Sequence, residues 1–334
     1  MKLKSFWLLL LLTPALLMAQ ENGKISGYMF GDYYYVAANH NSELENRNGF
    51  WFRRIYFTYD QNLSDAFAIR LRMELASPGN FTSSGKITPF VKDAYLSYKF
   101  QQHKIYIGLS PTPTWERIEK IWGYRSVEKT PLDLQKFGSS RDFGVAIRGS
   151  LDKEKRVNYH VMLGNGSGTG TETNEGKKVM LSLAVEPVDH VVVEGYVDFE
   201  ERPGKTNRYT FQGFAAYQDK NFRLGVQFAH QTREQGTGLE NLDLQIFSAF
   251  AAAKVSDRTW AFVRFDRMFD ANPNGAKISY IPFDPTSKST FFLGGLDFRP
   301  LEKVHLMPNF EAVFYDENNI DTDVIPRFTF YYKF

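Results

Sequence analysis

Along most of this chain, apolar side chains fall on every second position. Phe67, Ile69, Leu71, Met73 and Leu75 alternate with Ala68, Arg70, Arg72 and Glu74. The same rhythm runs through Ala94, Leu96, Tyr98 and Phe100, through Val157, Tyr159, Val161 and Leu163, and through Leu306, Pro308, Phe310, Ala312 and Phe314. A strand throws successive side chains to opposite faces, so each segment predicts a strand with one apolar and one polar face. Tight polar connections recur at Asn62–Asp65, Gln101–His103, Asp152–Lys155, Pro187–His190, Gln218–Asn221, Ser256–Arg258 and Pro300–Lys303, and longer polar stretches such as 164–176 and 271–289 lie between them. Seven short turns alternating with eight long loops predict about sixteen antiparallel strands, with both ends of the wall on the short-turn side.

A soluble sandwich or propeller also alternates, but its apolar faces need a second sheet to cover them. No segment here supplies one, whereas lipid covers the outside of a transmembrane barrel. The expected fold is all-β, a transmembrane antiparallel β-barrel of about sixteen strands with short periplasmic turns and long extracellular loops. The last segment, IPRFTFYYKF, fits this reading. Phe328, Phe330, Tyr332 and Phe334 share one face, while Arg327, Thr329, Tyr331 and Lys333 share the other. It is expected to pair with the first strand, 24–36, and so remove both sheet edges.

Composition narrows the picture. The first residues, MKLKSFWLLLLLTPALLMAQ, join a basic head to an apolar run from Phe6 to Met18 and a small Ala19. That is the pattern of an export leader over 1–19, leaving 20–334 as the barrel. The run is too short for a membrane-spanning helix, which needs about 20 apolar residues. Cysteine is absent, which excludes both a disulfide framework and a lipidated cysteine at position 20, where Gln20 stands. Of 40 basic residues, Lys2 and Lys4 belong to the leader, leaving 38 against 38 acidic ones. A neutral chain gives no electrostatic case for nucleic acid. Aromatic residues reach 16% although mean hydropathy is −0.37. A membrane protein of this composition has to cross with strands.

Several stretches together resemble the phosphate-selective porin O/P family of Gram-negative outer membranes. FRRIYFTYDQNLSDAFAIRLRMEL (52–75) is similar to that family's arginine-pair strand, turn and following strand. VKDAYLSYKF (91–100), IYIGLSPTP (105–113), SRDFGVAIRGSL (140–151) and VNYHVMLGNGSG (157–168) follow in the family's order. The resemblance implies a porin-like channel for small polar or charged solutes, with anions such as phosphate among them. Likeness to bacterial barrels as a class also implies that Phe334 acts as a C-terminal signal for the barrel-assembly machinery. GLSPTPTWERIEK (108–120) departs from the family pattern, and the family's phosphate-binding ladder has no residue-by-residue counterpart here.

In a wide barrel, the residues alternating with the lipid-facing set line the lumen. Register places Arg54, Arg70, Arg72, Lys99, Arg148 and Arg327 there as a basic wall on the strands near the chain ends and the first third. Glu194, Asp198 and Glu200 on the ninth strand form an acidic wall opposite. Two outcomes stay open: a transverse field that orients solutes, or charges averaged out by Asp60, Glu74, Asp93 and Glu311. The longest loop, 111–140, carries Trp115, Ile118 and Trp122 at helical spacing, among Glu116, Arg117, Glu119, Lys120, Arg125 and Lys129. It is expected to fold inward and set the bore, the alternative being an outward cap.

Catalytic signatures are sparse. None of His40, His103, His160, His190, His230 and His305 stands in an HExxH pair, and no GxSxG elbow occurs. A histidine at the outer rim, such as His230, leaves a hydrolase as a minor alternative. Glycines in 164–170 lack the lysine and helix of a phosphate loop, and 316–323 misses the EF-hand pattern. No metal or cofactor is expected. The reading is a passive diffusion channel, monomeric or homotrimeric, among outer-membrane lipids and lipopolysaccharide. A closed barrel that partners or anchors a surface complex is the second reading.

Overall fold

The computed structural model describes residues 23–82 and 85–334. The leader expected at 1–19 lies outside the described residues. The first half of the wall is β1 (Gly23–Tyr35), β2 (Asn48–Asn62), β3 (Phe67–Ala76), β4 (Thr88–Phe100), β5 (His103–Pro111), β6 (Arg141–Ser150), β7 (Val157–Gly164) and β8 (Lys178–Val185). The second half is β9 (Val191–Glu200), β10 (Arg208–Gln218), β11 (Phe222–Arg233), β12 (Leu242–Ser256), β13 (Thr259–Met268), β14 (Ser289–Leu301), β15 (Val304–Tyr315) and β16 (Asp323–Lys333). The sixteen strands follow one another in chain order, every pair is antiparallel, and the sheet closes on itself.

Closure is made as the alternation requires. In the β1–β16 seam, Tyr28 faces Lys333, Phe30 faces Tyr331 and Asp32 faces Thr329. Gly27 and Phe334 extend it by exchanging backbone hydrogen bonds of 3.2 and 2.9 Å. The Phe334 ring lies over Gly27, where a Cβ would come within 2.2 Å of it. Outward rows carry exposed Phe143, Val145, Val193, Phe211 and Phe328, the apolar surface that lipid would cover. Among the described residues, no helix is long and apolar enough to cross a membrane.

Among the described residues the strand register shifts at four places, and two of them alter the lumen. Between β1 and β2 the register passes from Phe30–Arg54 to Gly31–Phe52, so Arg53 is an extra residue. Between β3 and β4 it passes from Arg72–Asp93 to Met73–Val91, leaving Lys92 extra. A bulge lets two consecutive side chains point the same way. Arg53 and Arg54 therefore both reach inward ion pairs, as do Lys92 and Asp93.

The buried core is inside the barrel. It is built mainly from the inward residues of β8–β16 together with two long loops, L3 (112–140) and L7 (269–288), with Tyr34, Val36, Leu44, Phe81, Tyr106, Ala146 and Met162 joining from the first half. L3 contains helix α1 (Trp115–Trp122) and the single turn α2 (Pro131–Leu134).

Candidate functional site

L3 enters the lumen because one of its faces is apolar. Trp115, Ile118, Ile121 and Trp122 are the buried face of α1. Trp122 packs against Phe250 and Phe262 at 5.2 and 6.3 Å between ring centroids, and Tyr124 stacks on Phe262 at 4.2 Å. Trp115 meets Tyr196 edge-on at 5.6 Å. The helix begins at Thr114, whose hydroxyl bonds the wall residues Glu194 and Gln212 instead of capping the helix. It ends at Gly123, in the left-handed region at φ 74°, with its N–H donating to the Glu119 carbonyl. The left-handed backbone is what favours glycine here, and the tip of the Arg223 side chain occupies the space a Cβ would take.

The rest of L3 has little regular structure, so its carbonyls need outside donors. Arg53 donates to the Val127 carbonyl, Arg264 to Lys129 and Asn272 to Gln135. Arg233 donates to Lys136 and Gln231 to Phe137. The tip carboxylate, Glu128, lies 3.3 Å from Arg53, which also contacts Asp32 at 2.9 Å and Glu311 at 3.5 Å. Arg327 joins the same network, 2.8 Å from Glu311 and 3.5 Å from Asp32, and donates to the Tyr280 carbonyl of L7. All five charged groups are nearly inaccessible to solvent. L3 is thus tied to both sides of the barrel, with the inward fold expected of it.

This divides the sequence-derived basic wall. Arg327 is sealed in the network, and Arg54 is held by Glu74 at 2.5 Å and by the Tyr280 hydroxyl at 2.9 Å. Arg70 grips Asp60 through two bonds of 2.7 and 3.0 Å, and Arg72 lies 3.4 Å from Asp93. Arg148 reaches Glu116 of α1 at 3.0 Å. Lys99 is exposed to the lumen and faces Lys104 across the β4–β5 pair; Lys104 in turn faces Arg148, and Arg148 faces His160. Lys104 and Arg148 share the Tyr106 ring at 5.3 and 4.9 Å. Among the described residues no carboxylate pairs with Lys99, Lys104 or, on the underside of α1, Lys120.

The acidic wall differs from the expectation. Glu194, Asp198 and Glu200 do point inward, but all three are buried. Glu194 lies 2.7 Å from Arg117 of α1, and Lys178 stands 3.1 Å from Asp198 and 3.6 Å from Glu200. L3 lies between the two walls and each acid has a cation beside it, an arrangement that favours averaged-out charges over a transverse field. Within L3, Arg125 links Glu119 and Asp133 at 3.5 and 3.9 Å. Burial pushes the Lys129 ammonium down to about 8, against the opposing pull of Asp133.

Open space remains on both sides of α1: a cavity of ≈ 500 Å³ lies between α1 and Glu186, His190, Val191 and Val192, and the more cationic space lies toward β1–β6 and the β15–β16 end of the seam. There, under L3, a cavity of ≈ 460 Å³ is bounded by Tyr28, Tyr56 and Tyr331 and by Arg72, Lys92, Arg141 and α1. Its lining holds five cations, Arg72, Lys92, Lys120, Arg125 and Arg141, against two carboxylates, Glu116 and Glu119. Another cavity, of ≈ 380 Å³, continues along Lys104, Tyr106, Arg148 and His160. Arg53, Lys92, Lys104 and Arg141 were missed by reading alternation alone. Adjacent polar pairs, Arg53-Arg54 and Lys92-Asp93, were the available signal of a bulge.

The remaining candidates fall elsewhere. His230 is on the outward face, bonded at 2.9 Å to Asp243, which Thr232 also engages at 2.5 Å. Two groups bound to one carboxylate do not make a base poised on a nucleophile. Asp316 pairs with Arg267 at 2.6 Å, and Asp323 with His40 at 2.8 Å. Among the described residues no three metal-ligating groups converge.

No protein-family model matches the chain, and no curated protein matches it. The phosphate-selective O/P resemblance therefore gains no support from family models. Solved structures do match. An anion-selective porin from Comamonas acidovorans aligns with TM-score 0.68 at 11% identity, over 93% of this chain and 99% of that one. OmpF of Salmonella typhi, in complex with daunomycin, gives 0.67 at 13% identity, over 94% and 98%. OmpT of Vibrio cholerae in its trimer form gives 0.65 at 10% identity, over 94% and 100%. At these identities the likeness establishes the fold, a closed barrel of the outer-membrane porin type.

Proposed function

We propose that this protein is a passive outer-membrane diffusion channel with a preference for small anions. The observation that carries the reading is the cationic strip in the open part of the lumen. Lys99, Lys104 and Arg148 occupy directly opposed positions on three neighbouring strands. Like charges so placed are destabilising, and a passing anion relieves the repulsion. The porin-type fold and the inward L3 support passage through a narrowed, hydrated lumen that needs no cofactor. Its surroundings in this reading are outer-membrane lipids and lipopolysaccharide in a Gram-negative cell. Phe334 and the closing strand would be presented to the assembly machinery, and a homotrimer is the assembly we favour.

The test is conductance of refolded protein in a planar bilayer under a potassium chloride gradient. Stepwise openings with a reversal potential on the chloride side support the proposal. A potential on the potassium side defeats the anion preference. The Arg53–Glu128 tie and the infolded L7 favour a second reading, a plugged barrel in a surface complex, and silence from demonstrably folded protein would select it.

A further inference from the structure

The cationic cavity under L3 has two unlike features, and the second has no role in passing inorganic ions. Beside its cations runs a continuous file of rings. Tyr28 lies 4.6 Å from Tyr56, 6.4 Å from Phe30 and 5.8 Å from Tyr331, and Tyr331 meets His305 edge-on at 5.1 Å. Tyr28 and Tyr331 are only partly buried, and the more deeply buried Phe30 and Tyr56 line the same space beside them. Cations border the same rings: the Arg72 guanidinium is 5.8 Å from the Tyr56 centroid and that of Arg125 is 6.0 Å from Phe30.

Chloride or phosphate gains little from the electron-rich face of a tyrosine. A neutral sugar would stack on the rings but has no use for the surrounding excess of positive charge. An ammonium group would find Glu116 and Glu119 already engaged by Arg148, Arg141 and Arg125. A solute with a flat apolar body and one carboxylate matches both features at once: its ring stacks on Tyr28 and Tyr331 while its carboxylate meets Lys120, which has no carboxylate partner among the described residues, beside Arg72, Lys92 and Arg141, whose nearest partners Asp93 and Glu74 stand outside the lining. We infer that this cavity is a transit site for small aromatic carboxylates. The inference rests on the channel reading and specifies which anions the channel favours.

The experiment uses single channels of the whole protein in a bilayer bathed in potassium chloride. Sodium benzoate, cyclohexanecarboxylate, acetate and phosphate are each added to the short-turn side, and current block is followed against concentration. Benzoate should half-block at a concentration roughly five- to tenfold below acetate, the ratio expected from one good ring contact. Cyclohexanecarboxylate, equal in bulk but without a π face, should fall between them. In Tyr28→Leu and Tyr331→Leu channels the benzoate-to-acetate ratio should collapse toward one. Equal block by benzoate and acetate in the unmodified protein overturns the inference while leaving the channel reading intact. The absence of any chloride conductance overturns the channel reading itself. Because the comparison in the unmodified protein decides the matter, a variant that fails to refold does not.

Discussion

The two halves of this lumen obey one alternation rule and reach opposite interiors. On β10 to β14 the inward positions include Phe214, Phe250, Phe262, Phe291 and Leu293, all buried beneath L3 and L7. On β3 to β6 they include Arg70, Arg72, Lys99, Lys104 and Arg148, which keep contact with open space. The apolar half is a docking surface for the chain's own loop, and the basic half is what the docked loop leaves free. Under the channel reading proposed above, the packed half would set the bore and the basic half would set what passes.

The largest effect should come from removing the loop that separates the halves. Deleting Glu116–Lys129 exposes the Phe250 and Phe262 wall to water and should raise single-channel conductance several-fold, with weaker ion discrimination. An unchanged step size would show that L3 does not define the bore. Next is the tie at its tip. Arg53→Ala leaves Asp32 and Glu311 with Arg327 and takes from Glu128 its ion-pair partner in the network. Breaking a buried pair by removing one partner costs about 3–5 kcal/mol. Urea unfolding in lipid vesicles should register that loss, and channel recordings should turn noisy as the tip is released.

The basic half should respond in the opposite sense. Lys104→Gln relieves repulsion from Lys99 and Arg148, and should stabilise the barrel by up to about 1 kcal/mol while shifting the reversal potential toward cations. A destabilised variant would mean that the lysine is there for packing. The smallest effect is a titration. Lys129, held near 8 by burial, is charged at pH 7 and loses its proton as pH rises through that value. Anion preference should therefore fall slightly between pH 7 and 9. Lys129→Met should abolish that part of the change.

Most of the architecture is local in origin and could be read. Strand number, the segregation of short turns from long loops, the closing strand and the apolar face of α1 all follow from spacing within a few residues. The lumen was less legible because its details are long-range. Arg53 and Lys92 turn inward only because their partner strands slip by one residue. The burial of Glu194, Asp198 and Glu200 depends on where α1 and Lys178 come to rest. L7 reads as a polar loop, yet Ile278, Tyr280, Ile281 and Phe283 are buried, anchored by guanidiniums from distant strands.

The seam between β1 and β16 has a kinetic consequence. Tyr28 pairs with Lys333, so the ring shuts only by joining segments roughly 300 residues apart. Closing a flexible chain of that length costs about 5 kcal/mol in entropy before the contacts are made. Every intermediate short of closure displays two raw sheet edges, which invite pairing with other chains. Such a topology folds slowly on its own. The step that most exposes this protein to aggregation is therefore its last, and a catalyst that holds the two edges together until they zip would act there.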